Sequence, residues 1–257
     1  MRTRALPVEL QEAFGQVDDD PTRVPFDDED DRDEHAFLGH ENVVRGVRLD
    51  RDDGAEVGAR SVIVITPATE FTTMHRNARL AAEMAGPHVT VVDSRTAAAG
   101  HGLVVLAGAE AVSAGASPAE AVRTMEDASA RVDLVASLEN LGPIRRSGRV
   151  PSVALDVAGR LGVRPVFRMR FGAAQPLASP RDTGAALARI QREWATGGGP
   201  ATDRSAIFHA DCHDLAESLE RHLGRVDHVV ELSAAMGIHT GRRVVGVAWL
   251  QPEAHRA

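Results

Sequence analysis

Three places in the sequence have polar residues spaced to bind a ligand, and the first is residues 66–73, T-P-A-T-E-F-T-T, between a β-branched run and a helical pattern. A helix N-terminus exposes unpaired N–H groups and partial positive charge. The hydroxyls of Thr69, Thr72 and Thr73 could add donors, and such a corner suits a carboxylate or a phosphate. Helix capping by threonine alone explains the same residues.

The second place is residues 237–241, G-I-H-T-G, between the last two predicted strands. His239 in a glycine-flanked loop, followed by Thr240 and Gly241, could donate a hydrogen bond or shuttle a proton. The third place is residues 145–149, R-R-S-G-R, where the rigid donor fork of Arg149 could contact an anion or a partner. An exposed loop histidine and a solvated basic turn are the simpler alternatives.

Other combinations give weaker signals for catalysis or metal binding. Asp93 and Ser94 end a predicted strand, but no G-x-S-x-G elbow surrounds the serine, which argues against a hydrolase triad. The histidines of H-A-D-C-H at 209–213 should lie on a strand and at a helix start, so we expect no metal site there. The acidic run 18–35 lacks the glycine and terminal glutamate of a calcium loop and is expected to be solvated.

The composition excludes several classes of protein. Hydrophobic residues make up 43% of the 257 residues, which is enough for a packed core. The net charge of -8 argues against a nucleic-acid-binding protein. Cys212 is the only cysteine, so no internal disulfide is possible and a reducing compartment is expected. There is no apolar run of roughly 20 residues and no signal-peptide core, so we expect a soluble, cytoplasmic protein without a transmembrane segment.

From residue 61 onward, strand and helix patterns alternate and predict an α/β protein with a parallel sheet. The predicted strands are 62–65, 88–92 and 134–136, and the predicted helices are 74–84, 97–114 and 117–130. The last of these begins with S-P-A-E, which offers a serine cap, a proline in the first turn and a glutamate three residues on.

The second half has a mixed α+β pattern. It predicts a short helix at 153–161, a hairpin around Gly172, a helix that starts at S-P 179–180, a strand at 205–209, a helix at 212–223 and strands at 228–232 and 244–250. We therefore divide the chain into an acidic, irregular N-terminal segment (1–60), a parallel α/β domain (61–150) and a mixed α+β domain (151–257).

Taken in order, these motifs resemble those of the DegV family of bacterial fatty-acid-binding proteins. Residues 66–78 stand at the family's serine-rich corner, and Asp93-Ser94 with G-H-G at 100–102 match its D-S strand end and G-x-G helix. The later matches are S-G-R at 147–149, R-P-V at 164–166, Arg181 with Ala186-Leu187, H-A-D at 209–211 and H-T-G at 239–241. The early T-S-Q-P-S motif is not found, and Arg242-Arg243 replace a proline–glycine pair. The chain therefore resembles a divergent member with a rewritten N-terminal segment.

The resemblance implies a two-domain α/β protein that holds a long-chain fatty acid in a tunnel of the second domain, with its carboxylate at the domain interface. It implies a carrier that presents the acyl chain to a fatty acid kinase, with no cofactor other than the bound lipid. The implied ligand-binding residues are Thr69, Thr72, Thr73, Asp93, Ser94, Arg149, His239, Thr240 and Gly241, and Arg181 would contact the partner. Two alternatives are open: an enzyme subunit of the dihydroxyacetone-kinase type, and a regulatory or interaction protein of the same fold without a ligand.

Overall fold

The computed structural model describes residues 45–49, 61–139, 141–147, 163–202 and 204–252, and within them two sheets form. The first sheet contains β1 (Arg45–Leu49), β2 (Ser61–Thr66) and β3 (Val89–Asp93). β2 runs antiparallel to β1 and parallel to β3. The β-branched runs at 62–65 and 89–92 thus form the two strands predicted for them, and both sheets belong to one compact unit.

The second sheet has six strands in the order β6-β5-β4-β9-β7-β8. They are β4 (Val132–Ser137), β5 (Val166–Arg170), β6 (Ala173–Ala178), β7 (Ser205–His209), β8 (His228–Glu231) and β9 (Val245–Leu250). Only β7 and β8 pair in parallel; the other neighbours are antiparallel. The predicted hairpin around Gly172 is confirmed as β5 and β6.

The prediction that residues 134–136 extend a parallel sheet is wrong. β4 pairs antiparallel with β5 and β9 in the second sheet. All six of its residues are buried, and an apolar run that is buried on both faces does not indicate which strands lie beside it. The domain boundary near residue 150 lies outside the described residues and stays a prediction.

The described helices are α1 (Met74–Ala85), α2 (Ala98–Ser113), α3 (Pro118–Arg131), α4 (Gly142–Ser147), α5 (Thr183–Thr196), α6 (His213–Leu223) and α7 (Ala234–Thr240), with a short 3-10 helix at Gly199–Ala201. The predicted capping box of α3 is confirmed, because the carboxylate of Glu120 accepts the N–H of Ser117 at 2.8 Å. The predicted start of α5 at S-P 179–180 is wrong. Asp182 caps that helix by accepting the N–H of Ala185 at 2.8 Å.

The two faces of the six-stranded sheet have different neighbours. One face packs on α5 and α6 in a core that includes Ile190, Leu219 and an edge-to-face pair of Trp194 and Trp249, with ring centroids 5.4 Å apart. The other face carries Leu134 and, directly paired with it, Met169. This second face lies toward α2 and toward a cavity, so it positions the candidate site.

The acidic run 18–35 and the helix predicted at 153–161 lie outside the described residues. None of the helices in the described part of the chain combines the length and the apolar character that crossing a membrane requires.

Candidate functional site

A cavity lies between the corner that follows β2 and the second face of the six-stranded sheet. It contains about 1260 Å³ of space between its walls, including the part that opens to solvent. The sheet contributes Leu134, Phe167, Met169 and Phe208, and the corner contributes Phe71. Other described apolar wall residues are Pro67, Met74, Ala97, Ala98, Leu138, Leu141, Ile144, Pro165, Val166, Ala174, Pro176, Ala178, Leu232, Met236 and Val244.

The apolar character of the cavity follows from the alternation of side chains along β5. Phe167 and Met169 line the cavity. Arg168 and Arg170 point to the opposite face of the sheet, where Arg168 Nε lies 3.1 Å and Arg170 Nε 4.0 Å from the carboxylate of buried Asp133. The charges of this strand are thereby kept away from the cavity.

Asp133 belongs to a charged cluster on the face of the sheet opposite the cavity. Its carboxylate accepts a hydrogen bond from Gln251 Nε2 at 3.2 Å, and its side chain is 0% exposed. Burial raises the pKa of Asp133, and the neighbouring guanidinium groups offset this rise only in part. Arg168 also contacts Glu193 of α5 at 2.9 Å, so the cluster joins the sheet to that helix.

Gly246 of β9 makes room for one cavity wall. A Cβ at this position would lie 2.6 Å from Phe208 Cζ and 2.6 Å from Ala136 Cβ. The absence of a side chain therefore lets the Phe208 ring lie close to the neighbouring strand, where it closes part of the cavity.

The polar side chains among the described lining residues are Thr72, Gln175, Ser179, His239 and Thr240, and none of these lining residues carries a fixed charge. Thr72 Oγ1 accepts the N–H of Met74 at 3.3 Å, which leaves its hydroxyl hydrogen able to donate to a ligand. The Thr240 hydroxyl donates to the carbonyl of Met236 at 3.0 Å. Such a cavity suits a molecule with a long apolar part and a small polar end.

The other two corner threonines are placed differently from Thr72. Thr69 is exposed, and its backbone N–H donates to Asp93 Oδ2 at 3.3 Å. Asp93 Oδ1 accepts the N–H of Arg95 at 2.8 Å, so this carboxylate bridges the two corners. The sequence analysis predicted that N–H groups of this corner would bind an external anion. The N–H of Thr69 instead donates to the Asp93 carboxylate. Thr73 is the exposed N-cap residue of α1 and makes no side-chain capping bond.

Ser94 lies beneath this corner and not in the cavity wall. It is 0% exposed, and its Oγ lies 3.0 Å from Nδ1 of buried His101. The Ser94 hydroxyl also approaches the carbonyl of Thr96 at 3.4 Å. The motifs D-S and G-H-G therefore meet through their polar side chains and fix the turn that leads into α2. The sequence alone did not indicate this pairing.

The glycine-flanked loop predicted around His239 is wrong, because residues 234–240 form α7. The helical spacing i, i+3, i+4 brings Met236, His239 and Thr240 to the cavity. Gly241 ends the helix with φ +81°, and a Cβ there would lie 2.8 Å from Pro143 Cγ of α4. The helix was not predicted from the sequence, because it has only seven residues and contains one glycine and is followed by another, and glycine has low helix propensity.

Of the arginines in these motifs, two pair with acidic side chains, one is exposed and one is not described. Arg242 pairs with Asp211, and Arg243 lies 3.4 Å from both Glu139 and Asp214. Arg149 lies outside the described residues. Arg181 is exposed just before the N-cap of α5. Of the ligand-binding residues predicted from the sequence, Thr72, His239 and Thr240 line the cavity.

The cluster H-A-D-C-H is divided between β7 and the start of α6. The rings of His209 and His213 meet edge to face with centroids 5.5 Å apart. Among the described residues, no group of three or more metal-ligating side chains converges. Burial raises the pKa of Cys212 to about 11, so its thiol is protonated at neutral pH.

Comparison with known proteins identifies the relatives of this chain. The family model described as "Uncharacterised protein, DegV family" matches residues 52–252. A DegV domain-containing protein of Streptomyces coelicolor is 32% identical over 199 residues, which cover 75% of this chain and 71% of that one.

Solved structures of DegV family proteins share the fold, among them the following two. A DegV family protein from Corynebacterium glutamicum matches with a TM-score of 0.70 and 22% identity, over 76% of each chain. A DegV family protein from Thermus thermophilus, described with fatty acid binding, matches with a TM-score of 0.69 and 23% identity, over 76% of this chain and 72% of that one. The family match spans the six-stranded sheet, β2 and β3 of the first sheet, and every described wall of the cavity, whereas β1 lies before it. The chain belongs to the DegV family.

Proposed function

We propose that this protein binds a long-chain fatty acid whose hydrocarbon chain occupies the cavity between the corner 66–73 and the six-stranded sheet. The observation that carries the proposal is the cavity itself, which is walled by aliphatic and aromatic side chains and has few polar groups. Burial of apolar surface would supply the binding free energy, about 0.8 kcal/mol for each buried methylene. The fatty acid binding described for the Thermus thermophilus relative supports the same ligand class.

The head group would lie where Thr72, His239 and Thr240 reach the cavity. A carboxylate accepts hydrogen bonds, and the Thr72 hydroxyl can donate one. Arg149 would add a positive charge at the same end. Presentation of the carboxylate to a fatty acid kinase, with Arg181 at the contact, belongs to the same proposal. A cytoplasmic location also belongs to it, supported by a single cysteine that is buried and protonated.

The geometry of the cavity favours this proposal over the two alternatives. An enzyme subunit of the dihydroxyacetone-kinase type would need a small polar pocket around a histidine, whereas His239 lies in a mostly apolar wall. A protein of this fold that has lost its ligand would fill the space with its own side chains. Open space remains between the described walls here.

A pair of variants on β6 tests the proposal. Ala174 lines the cavity, while Ala173 is exposed and points away on the same edge strand. Ala174→Trp should fill the cavity and weaken the binding of oleate to delipidated protein at least about tenfold, the effect of roughly 1.4 kcal/mol. Ala173→Trp adds the same ring on the other face and should leave the Kd unchanged. Equal affinities in all three proteins would contradict the proposal.

A further inference from the structure

We propose that the turn between β5 and β6 is a clasp that controls the entry and release of lipid. We define the clasp as Phe171 and Gly172 of the turn together with Glu70 and Arg95 of the corners that follow β2 and β3. The inference rests on the proposed function, since it concerns access to the same cavity. It adds a route and a mechanism of exchange.

The position of the hairpin makes it one side of the cavity entrance. β6 is an edge strand of the six-stranded sheet, and its lining residues Gln175 and Pro176 are exposed. Phe71 and Thr72 of the corner line the same cavity. Lining residues of this edge are therefore in contact with solvent, and separating the hairpin from the corner would widen the opening.

Few contacts of the described residues hold the two sides of the entrance together. The N–H of Gly172 donates to the carbonyl of Arg95 at 2.7 Å. The carboxylate of Glu70 occupies the space of a side chain at Gly172, where a Cβ would come within 2.6 Å of both carboxylate oxygens. Deeper in, the Thr96 hydroxyl lies 3.9 Å from Met169 Sδ. Contacts so few and so near the surface can open locally while the sheet stays folded.

Phe171 is an unexpected residue at the tip of the turn. Phe171 has φ +50° and Gly172 has φ +78°, and two positive φ values at the centre of a two-residue hairpin turn favour asparagine followed by glycine. A bulky side chain is strained in this conformation. The ring is 47% exposed, so core packing does not explain its presence.

The ring of Phe171 instead joins the two sides of the entrance through one contact. The guanidinium carbon of Arg95, on the opposite corner, lies 5.3 Å from the ring centroid. That of Arg170, which precedes Phe171 on the same hairpin, lies 5.4 Å from it and holds the ring in place. Cation–π contacts of this kind at an exposed site are weak enough to break transiently. Backbone strain that persists at such a position is typical of functional sites. The ring thus holds the entrance closed for most of the time and releases it without unfolding.

Phe171→Asn is the sharpest test, because asparagine suits the turn and removes only the ring. Stopped-flow measurements with a fluorescent polyene fatty acid should show association and dissociation rates that both rise about two- to fivefold, as the exposed cation–π contact with Arg95 across the entrance is lost. The Kd should change by less than about twofold, and the melting temperature should not fall. Val230→Asn on β8 is the control, since it also replaces an exposed apolar side chain and should leave both rates unchanged.

A second measurement follows access to the cavity without any lipid. Leu134 is buried and faces the cavity, so Leu134→Cys places a thiol inside it. The native Cys212 thiol is buried with its pKa raised to about 11 and should not react with a maleimide at pH 7. Labelling of Leu134→Cys should be about two- to fivefold faster when Phe171→Asn is added.

The two measurements separate the clasp from the proposed function. Unchanged rates in both assays, with tight fatty acid binding by the native chain, would overturn the clasp alone. Faster labelling in a protein that binds no fatty acid would contradict the proposed function and support a clasp that gates the cavity for another ligand.

Discussion

At the scale of single residues, two threonines of the corner 66–73, three positions apart, have different surroundings. Thr72 lines the cavity, whereas Thr69 is exposed and its backbone N–H is taken by Asp93. Sequence alone identifies both as donors at a helix start and cannot separate them. The distinction arises from the long-range contact with β3, which lies 24 residues further along the chain.

This division gives a prediction for fatty acid affinity. If the Thr72 hydroxyl donates to the carboxylate, Thr72→Val should weaken binding by about 1.5–3 kcal/mol, the contribution of a hydrogen bond to a charged group. Thr69→Val keeps the backbone N–H and should leave the affinity unchanged. Isothermal titration of both delipidated variants with oleate checks the difference. A loss confined to Thr69→Val would contradict this assignment of the head-group contact.

At the scale of elements, close packing explains one of the small residues of α2. A Cβ at Gly108 would lie 1.7 Å from Met125 Cε and 2.7 Å from Met125 Cγ, so α3 approaches α2 through this position. A Cβ at Gly102 would meet no described heavy atom within 4 Å. The two glycines therefore have different roles in one helix.

We predict opposite effects of alanine at these two positions. Gly108→Ala should lower the free energy of unfolding by about 1–3 kcal/mol, because Met125 must shift or the helices must separate. Gly102→Ala should raise it by roughly 0.5–1 kcal/mol through better helix propensity. Urea denaturation of both variants measures the difference. Destabilisation by Gly102→Ala would contradict this assignment and show that position 102 is closely packed.

The charged cluster below β4 gives a prediction for the pH dependence of stability. Burial raises the pKa of Asp133 in the folded state above its unfolded value of 3.8. A raised folded pKa stabilises the fold below the unfolded pKa, and this stabilisation is lost as the pH rises through the folded pKa. The free energy of unfolding of the native chain, relative to Asp133→Asn, should therefore fall as the pH rises from 3 towards neutrality. A relative stability that rises with pH would mean that Arg168 and Arg170 outweigh burial.

The fold was predictable from the sequence where local patterns decide it. The β-branched runs gave β2 and β3, and the S-P-A-E motif gave the capping box of α3. Pairing between distant segments was not predictable, since a fully buried strand such as β4 has no polar face to fix its neighbours. The helix around His239 was missed for a related reason, because packing of Gly241 against α4 stabilises a glycine-containing segment.

The candidate site was likewise predictable from the sequence only in part. The polar residues Thr72, His239 and Thr240 were indicated by their motifs, and the family resemblance placed them together. The apolar walls were not indicated, although the alternation of Phe167 and Met169 with two arginines along β5 carries the signal. Only the pairing of β5 with β4 shows that the charged face meets Asp133 and leaves the other face to the cavity.

At the scale of the whole molecule, the cavity is lined by several of the described elements and not by one of them alone. The corner after β2, the start of α2, the hairpin of β5 and β6, and the helices α4 and α7 each provide part of its wall. An acyl chain in this space would contact all of them at once, so a bound lipid should stabilise the folded chain as a unit. Removal of lipid should lower the melting temperature, and added oleate should restore it.

Native mass spectrometry of the protein after expression in bacteria tests the central claim most directly, because a bound lipid appears as an added mass. We predict one long-chain fatty acid per chain, released by organic extraction and replaced by added oleate at a ratio of one to one. A protein that carries no acyl species after purification, and that takes up no fatty acid when it is offered, would contradict the account.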